Sequence, residues 1–136
     1  MSLKQRFAAA CAVLAVSATG TLVAHHAFSA EFDPKAPVTL RGPVTKVEWI
    51  NPHAWIHIDV PAADGRVERW SIEAGAPNGL IRRGFTRDSL LPGTRIVVAG
   101  YRAIDGANRA NGSSITFEDG RKLFVGGSNP DNPDLP

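Results

Sequence analysis

From Val38 to Val125 the apolar residues of this chain come in short runs cut by Gly, Pro and Asp-Gly punctuation, the pattern of strands joined by tight turns. One hairpin is specified down to its register. A strand Ala54–Val60 puts Ile56, Ile58 and Val60 on one face and Trp55, His57 and Asp59 on the other, while a strand Val67–Ala74 puts Trp70, Ile72 and Ala74 on one face. If the loop is Ala63-Asp64-Gly65 with Gly65 left-handed, Ile58 faces Trp70 and Ile56 faces Ile72. Asp59 then faces Arg69, His57 faces Ser71, and Glu73 faces Trp55. The shorter loop Asp64-Gly65 would set the apolar face against Ser71 and Arg69, so the longer one is preferred.

The other segments fit a mostly β chain. A first strand over Val38–Ile50 has Val38, Leu40 and Val44 in one phase and Val47 and Trp49 in the other, so a bulge between Val44 and Val47 must bend it. Pro77–Gly84 reads as a short helical turn stopped by Gly84, and Pro92-Gly93 leads into a fourth strand, Arg95–Tyr101. Asp105–Ser113 reads as a Gly/Asn loop, Ser114–Glu118 as a fifth strand, and Asp119-Gly120 as a turn into Arg121–Val125. That order predicts an all-β fold, a small five-stranded Greek-key OB-like barrel with a short helical turn between strands three and four. Its expected core is Val38, Leu40, Val47, Ile56, Ile58, Trp70, Ile72, Ile96 and Val98. A small β-sandwich is the alternative.

Ahead of this domain, Lys4 and Arg6 precede the apolar run Phe7–Val16, and Leu22-Val23-Ala24 follows, the order of a secretory signal peptide. Cleavage after Ala24 leaves a spacer of ordinary length and is preferred to cleavage after Ala18; an uncleaved anchor is the third option. The expected organisation is a signal peptide over 1–24, a lead segment over 25–37, the barrel over 38–125 and a disordered tail over 126–136, in a periplasmic or secreted protein. Losing Lys4 and Arg6 from the 15 basic side chains leaves thirteen, equal to the 13 Asp and Glu. A neutral domain has no electrostatic footprint for nucleic acid, and no integral membrane association is expected after cleavage. Cys11, the one cysteine, lies in the segment to be removed, so the expected mature chain has no disulfide and no thiolate metal site.

The chain resembles an uncharacterised family of small exported bacterial proteins known as a domain of unknown function. The resemblance rests on His25-His26-Ala27-Phe28, Asn51-Pro52-His53, Trp70 with Glu73, Leu80 with Gly84, and Pro92-Gly93. It implies export and a small β domain, and no established reaction. His57 matches no part of the pattern.

The four histidines, His25, His26, His53 and His57, fall in two short segments, and imidazole suits copper, zinc or nickel. Cleavage after Ala24 would make His25 the first residue, so that its α-amino group and ring could chelate copper(II) together. His53, at the bend into the second strand, can swing toward that terminus. His57, further along the strand, lies too far from His53 to share an ion easily. The expected metal set is therefore His25, His26 and His53, with Glu73 as an outer acceptor or an oxygen ligand. The bland reading of the same residues is a solvated N-terminus, a turn histidine bonded to backbone and an exposed strand carboxylate. A second functional reading is a binding module for a protein or small-molecule partner, using Trp55 and His57 on the outer face of the hairpin. The alternative for Trp55 is a packing role, covered by the lead residues Phe28 and Phe32. The chain has no Gly-x-Ser-x-Gly elbow, phosphate loop, HExxH or paired-carboxylate pattern, and its Ser, His and Asp residues have no diagnostic order.

Overall fold

The computed structural model describes residues 27–126. The expected signal segment, His25, His26 and the tail beyond Gly126 lie outside the described residues. A helical segment over 27–31, α1, leads into β1 (Phe32–Glu48), followed by β2 (Trp55–Pro61), β3 (Val67–Glu73), α2 (Pro77–Arg82), β4 (Arg95–Ala103), β5 (Arg109–Phe117) and β6 (Lys122–Phe124). The protein is all-β. Its strands form one six-stranded sheet in the order β3-β2-β1-β4-β5-β6, antiparallel throughout this run, with an additional parallel pairing of β3 with β5.

The β2–β3 hairpin has the expected register: Ile58 pairs with Trp70, Ile56 with Ile72, Asp59 with Arg69, His57 with Ser71 and Trp55 with Glu73. Gly65 takes φ +84°, which only glycine adopts without strain. The bulge in β1 is also present, its register against β2 slipping between Val44 and Lys46. Here β1 changes partner, its earlier part pairing with β4 and its later part with β2. Gly42 sits at the crossover, where any Cβ would run into the Asp59 carbonyl of β2.

The inward faces carry the apolar pattern. Ile56, Ile58, Ile72, Val98 and Ile115 are fully buried, each contributing about 1.5–3 kcal/mol of apolar burial. Leu40, Trp70 and Ile96 join them as expected, whereas Val38 and Val47 are half-buried at the margin. Leu80 of α2 and Phe85 and Leu90 beyond it plug the same core. Among the described residues no helix is long and apolar enough to cross a membrane.

Three boundaries differ from expectation. First, β1 begins at Phe32 rather than Val38, and Phe32 is buried with Phe28 and Ala103 in a second, small cluster against Tyr101. Phe28 stacks on Phe32 at 5.9 Å and meets Tyr101 edge-on at 5.8 Å, so this pair packs over β4 instead of covering Trp55. Second, the Gly/Asn stretch is not all loop: Arg109–Ser113 is strand, its backbone paired on both sides by β3 and β4. Third, Lys122–Phe124 pairs with β5 as a sixth strand.

Candidate functional site

The end of β3 brings two of the expected site residues, Trp55 and Glu73, onto one side of the sheet. Following strand partners from Trp55 leads to Glu73, then to Asn111 on β5, then to Tyr101 on β4. Partners in register share a face, so these side chains form one row. Ile72 and Ala110, the inward neighbours of Glu73 and Asn111, belong to the core, which places the row on the opposite face. Phe28 of α1 caps it at Tyr101.

Glu73 is buried, 6% exposed, contrary to the bland reading of an exposed strand carboxylate. Its Oε1 accepts from Asn111 Nδ2 at 3.0 Å, and Asn111 is itself fully buried. A buried carboxylate needs such donors, because stripping its water without replacement costs several kcal/mol. Gly100 makes room for the row: any Cβ there would strike the Asn111 carbonyl.

His53 stands over the same carboxylate. The turn holding it contains a cis Asn51–Pro52 bond, and its Nδ1 lies 3.3 Å from the Ala74 carbonyl and 3.9 Å from Glu73 Oε1. A proton on Nδ1 donates to Ala74 and faces Glu73, leaving Nε2 as the ring's lone-pair donor. An imidazole that ligates a metal is commonly fixed this way through its other nitrogen. The acceptor behind the ring is the Ala74 carbonyl, and the Glu73 carboxylate lies 3.9 Å from the same nitrogen. Among the described residues no three His, Cys, Asp or Glu side chains gather closely enough to hold an ion, so His53 and Glu73 need further donors to make a metal site.

His57 belongs elsewhere. Its Nδ1 lies 3.0 Å from Ser71 Oγ and its Nε2 2.8 Å from Glu48 Oε2, in a cleft on the outer face of the hairpin. Lys46 Nζ reaches the other Glu48 oxygen at 2.6 Å. That bond, and after it the one from His57, hold the Glu48 carboxyl below its ordinary range. Trp55 is half-buried and separates the two neighbourhoods, paired with Glu48 on one side and Glu73 on the other. Sequence reasoning missed Asn111 and Glu48. Asn111 lay in a stretch that looked like loop, and Glu48 lay beyond a bulge across which no register was drawn.

Fold and site together define a small all-β domain with a buried carboxylate at one strand end and a histidine poised above it. The chain belongs to a family of unknown function (DUF6152), whose model matches residues 12–113. No curated protein matches it, and no solved structure does.

Proposed function

We propose that this is an exported periplasmic or secreted binding protein that holds copper(II), or another divalent transition metal, through His25, His26 and His53, with Glu73 fixing the His53 ring. One observation carries the reading: the row beneath His53 ends under Phe28, three residues after His25 in the chain. Phe28 rests on Tyr101, Tyr101 pairs with Asn111, and Asn111 holds Glu73. Two strand spacings, about 10 Å, separate Tyr101 from β3. A free amine at His25, its ring and His53 Nε2 would supply three nitrogens of the kind copper(II) prefers. The bound metal would supply a Lewis-acidic or redox-active centre; His53 would present Nε2, its Nδ1 turned to the Ala74 carbonyl with the Glu73 carboxylate beside it.

The OB-like barrel belongs to the same proposal. Stepping from partner to partner from Glu48 passes Trp55, Glu73, Asn111 and Tyr101 and returns to β1 at Pro37, displaced along the strand from its start. Such a stagger accompanies closure of a twisted sheet, and α2 between β3 and β4 suits the OB order.

Competition titration with copper tests the function, on protein whose intact mass shows that it begins at His25. Tight binding that is lost in His25→Ala, in His53→Ala and when one extra residue precedes His25 supports the reading. Binding indifferent to all three overturns it. Loss of a protein or small-molecule ligand in Trp55→Ala, with His25→Ala unaffected, would instead favour a non-metal module on the hairpin face.

A further inference from the structure

The cleft around His57 carries an arrangement that the metal proposal does not use. Three strands each contribute one side chain to a continuous line: Ser71 from β3, His57 from β2 and Glu48 from β1, at 3.0 Å and 2.8 Å. The proton positions follow from the charges. An ionised Glu48 accepts only, so His57 Nε2 carries the proton and donates to it; the Nδ1 lone pair then faces the Ser71 hydroxyl as a base. Nucleophile, base and orienting carboxylate are recognised by this geometry and not by their order in the chain. The ring faces Ser71 with Nδ1 and Glu48 with Nε2, the reverse of the serine-protease arrangement, and the chemistry is the same for either nitrogen. The cleft, about 390 Å³, is also lined by Lys46, Asp59 and Arg69.

We propose that Ser71 is an acyl-accepting nucleophile, with His57 as its base and Glu48 as the residue that positions the ring, and that the cleft takes a small activated acyl ester. Ser71 Oγ attacks the carbonyl carbon as its proton passes to His57 Nδ1. The carbon–oxygen bond to the alcohol breaks, and the alcohol leaves with that proton. Water, deprotonated by the same nitrogen, then cleaves the acyl–Ser71 ester, releasing the carboxylic acid and returning the hydroxyl proton. Arg69, the next side chain along this face of β3, is exposed and makes no ion pair among the described residues. Its guanidinium is the group available to the oxyanion of the tetrahedral intermediate.

The test treats the folded full chain with p-nitrophenyl acetate and, separately, with a fluorophosphonate, and maps adducts by peptide mass. A single adduct on Ser71 is expected, absent in Ser71→Ala, with its rate of formation recorded across pH. Its rate should fall about 100-fold or more in His57→Gln, the usual worth of a general base. Glu48→Gln tests the positioning role: loss of the carboxylate beside the imidazolium should move the pH profile toward lower pH as well as slow the reaction. Lys46, Asp59 and Arg69 remain in that variant, so the shift reads Glu48 alone. An unmodified Ser71, or equal rates in wild type and His57→Gln, overturns the proposal. If His57→Gln melts below the assay temperature, the Glu48→Gln profile decides, and an unmoved profile overturns it.

Discussion

The two edges of β3 are built on different terms. Toward β2 it forms a local antiparallel hairpin whose inward pairs, Ile58 with Trp70 and Ile56 with Ile72, are apolar and buried. Toward β5 it forms a short parallel seam, Ser71 to Glu73 against Arg109 to Asn111, with a buried carboxylate and a buried amide at its end. The outer histidines divide between these edges: His57 is bonded across the hairpin to Ser71, and His53 stands over the seam. The hairpin edge is held by burial, which tolerates exchange among shapes of similar volume. The seam end is held by a specific hydrogen bond, which tolerates almost none.

Removing the apolar side of the contrast should have the largest effect. Ile58→Ala empties a fully buried site and should cost about 2–5 kcal/mol, read from the urea midpoint. A loss within ~0.5 kcal/mol, the size of a surface change, would break the account of the hairpin.

The polar side comes next. Glu73→Ala removes the acceptor from a buried Asn111 amide and should cost about 1–3 kcal/mol. Glu73→Gln keeps an acceptor oxygen, so in equilibrium unfolding it should recover at least half of that loss. Equal losses in the two variants would mean that the seam is held by its backbone pairing and not by this bond.

The smallest effect belongs to the exposed ion pairs beside the hairpin. Glu48→Gln should leave the urea midpoint at neutral pH nearly where it is in wild type. Because Lys46 first and His57 second depress the Glu48 carboxyl, its contribution is present above the ordinary carboxyl pKa and disappears as pH falls through the lowered folded value. The melting temperatures of wild type and Glu48→Gln should therefore converge in acid. A gap that widens on acidification would reverse the assigned sign.

The same contrast explains what the amino-acid order makes legible. The hairpin register follows from one loop and one alternation, because Ile56, Ile58, Trp70 and Ile72 have to meet if either face is to be dry. Placing Glu73 beside Trp55 and Ser71 beside His57 then comes with it, which is how half of each polar neighbourhood is read in advance. The seam has no such signature. In Arg109-Ala110-Asn111-Gly112-Ser113 only Ala110 marks the core side, and the residues that allow close packing, Gly100 against the Asn111 carbonyl and Gly112 against the Ile72 and Val125 methyls, are of the type that usually marks loops. Phe28 and Phe32 escaped for another reason: a short lead with two aromatics says that it packs, not where.

The seam also fixes when the site can exist. Glu73 and Asn111 lie 38 residues apart, with α2 and β4 between them, and Ser71 N–H donates to the Asn108 carbonyl at 3.0 Å just before they meet. The hairpin is a local structure, whereas the seam joins residues on either side of α2 and β4, so its closure carries the larger loop entropy. Without the seam the Glu73 carboxylate lacks the Asn111 amide that it accepts from in the finished domain. A ligand that requires the two together discriminates between a finished domain and one that has formed only its first three strands, and it stabilises the former alone.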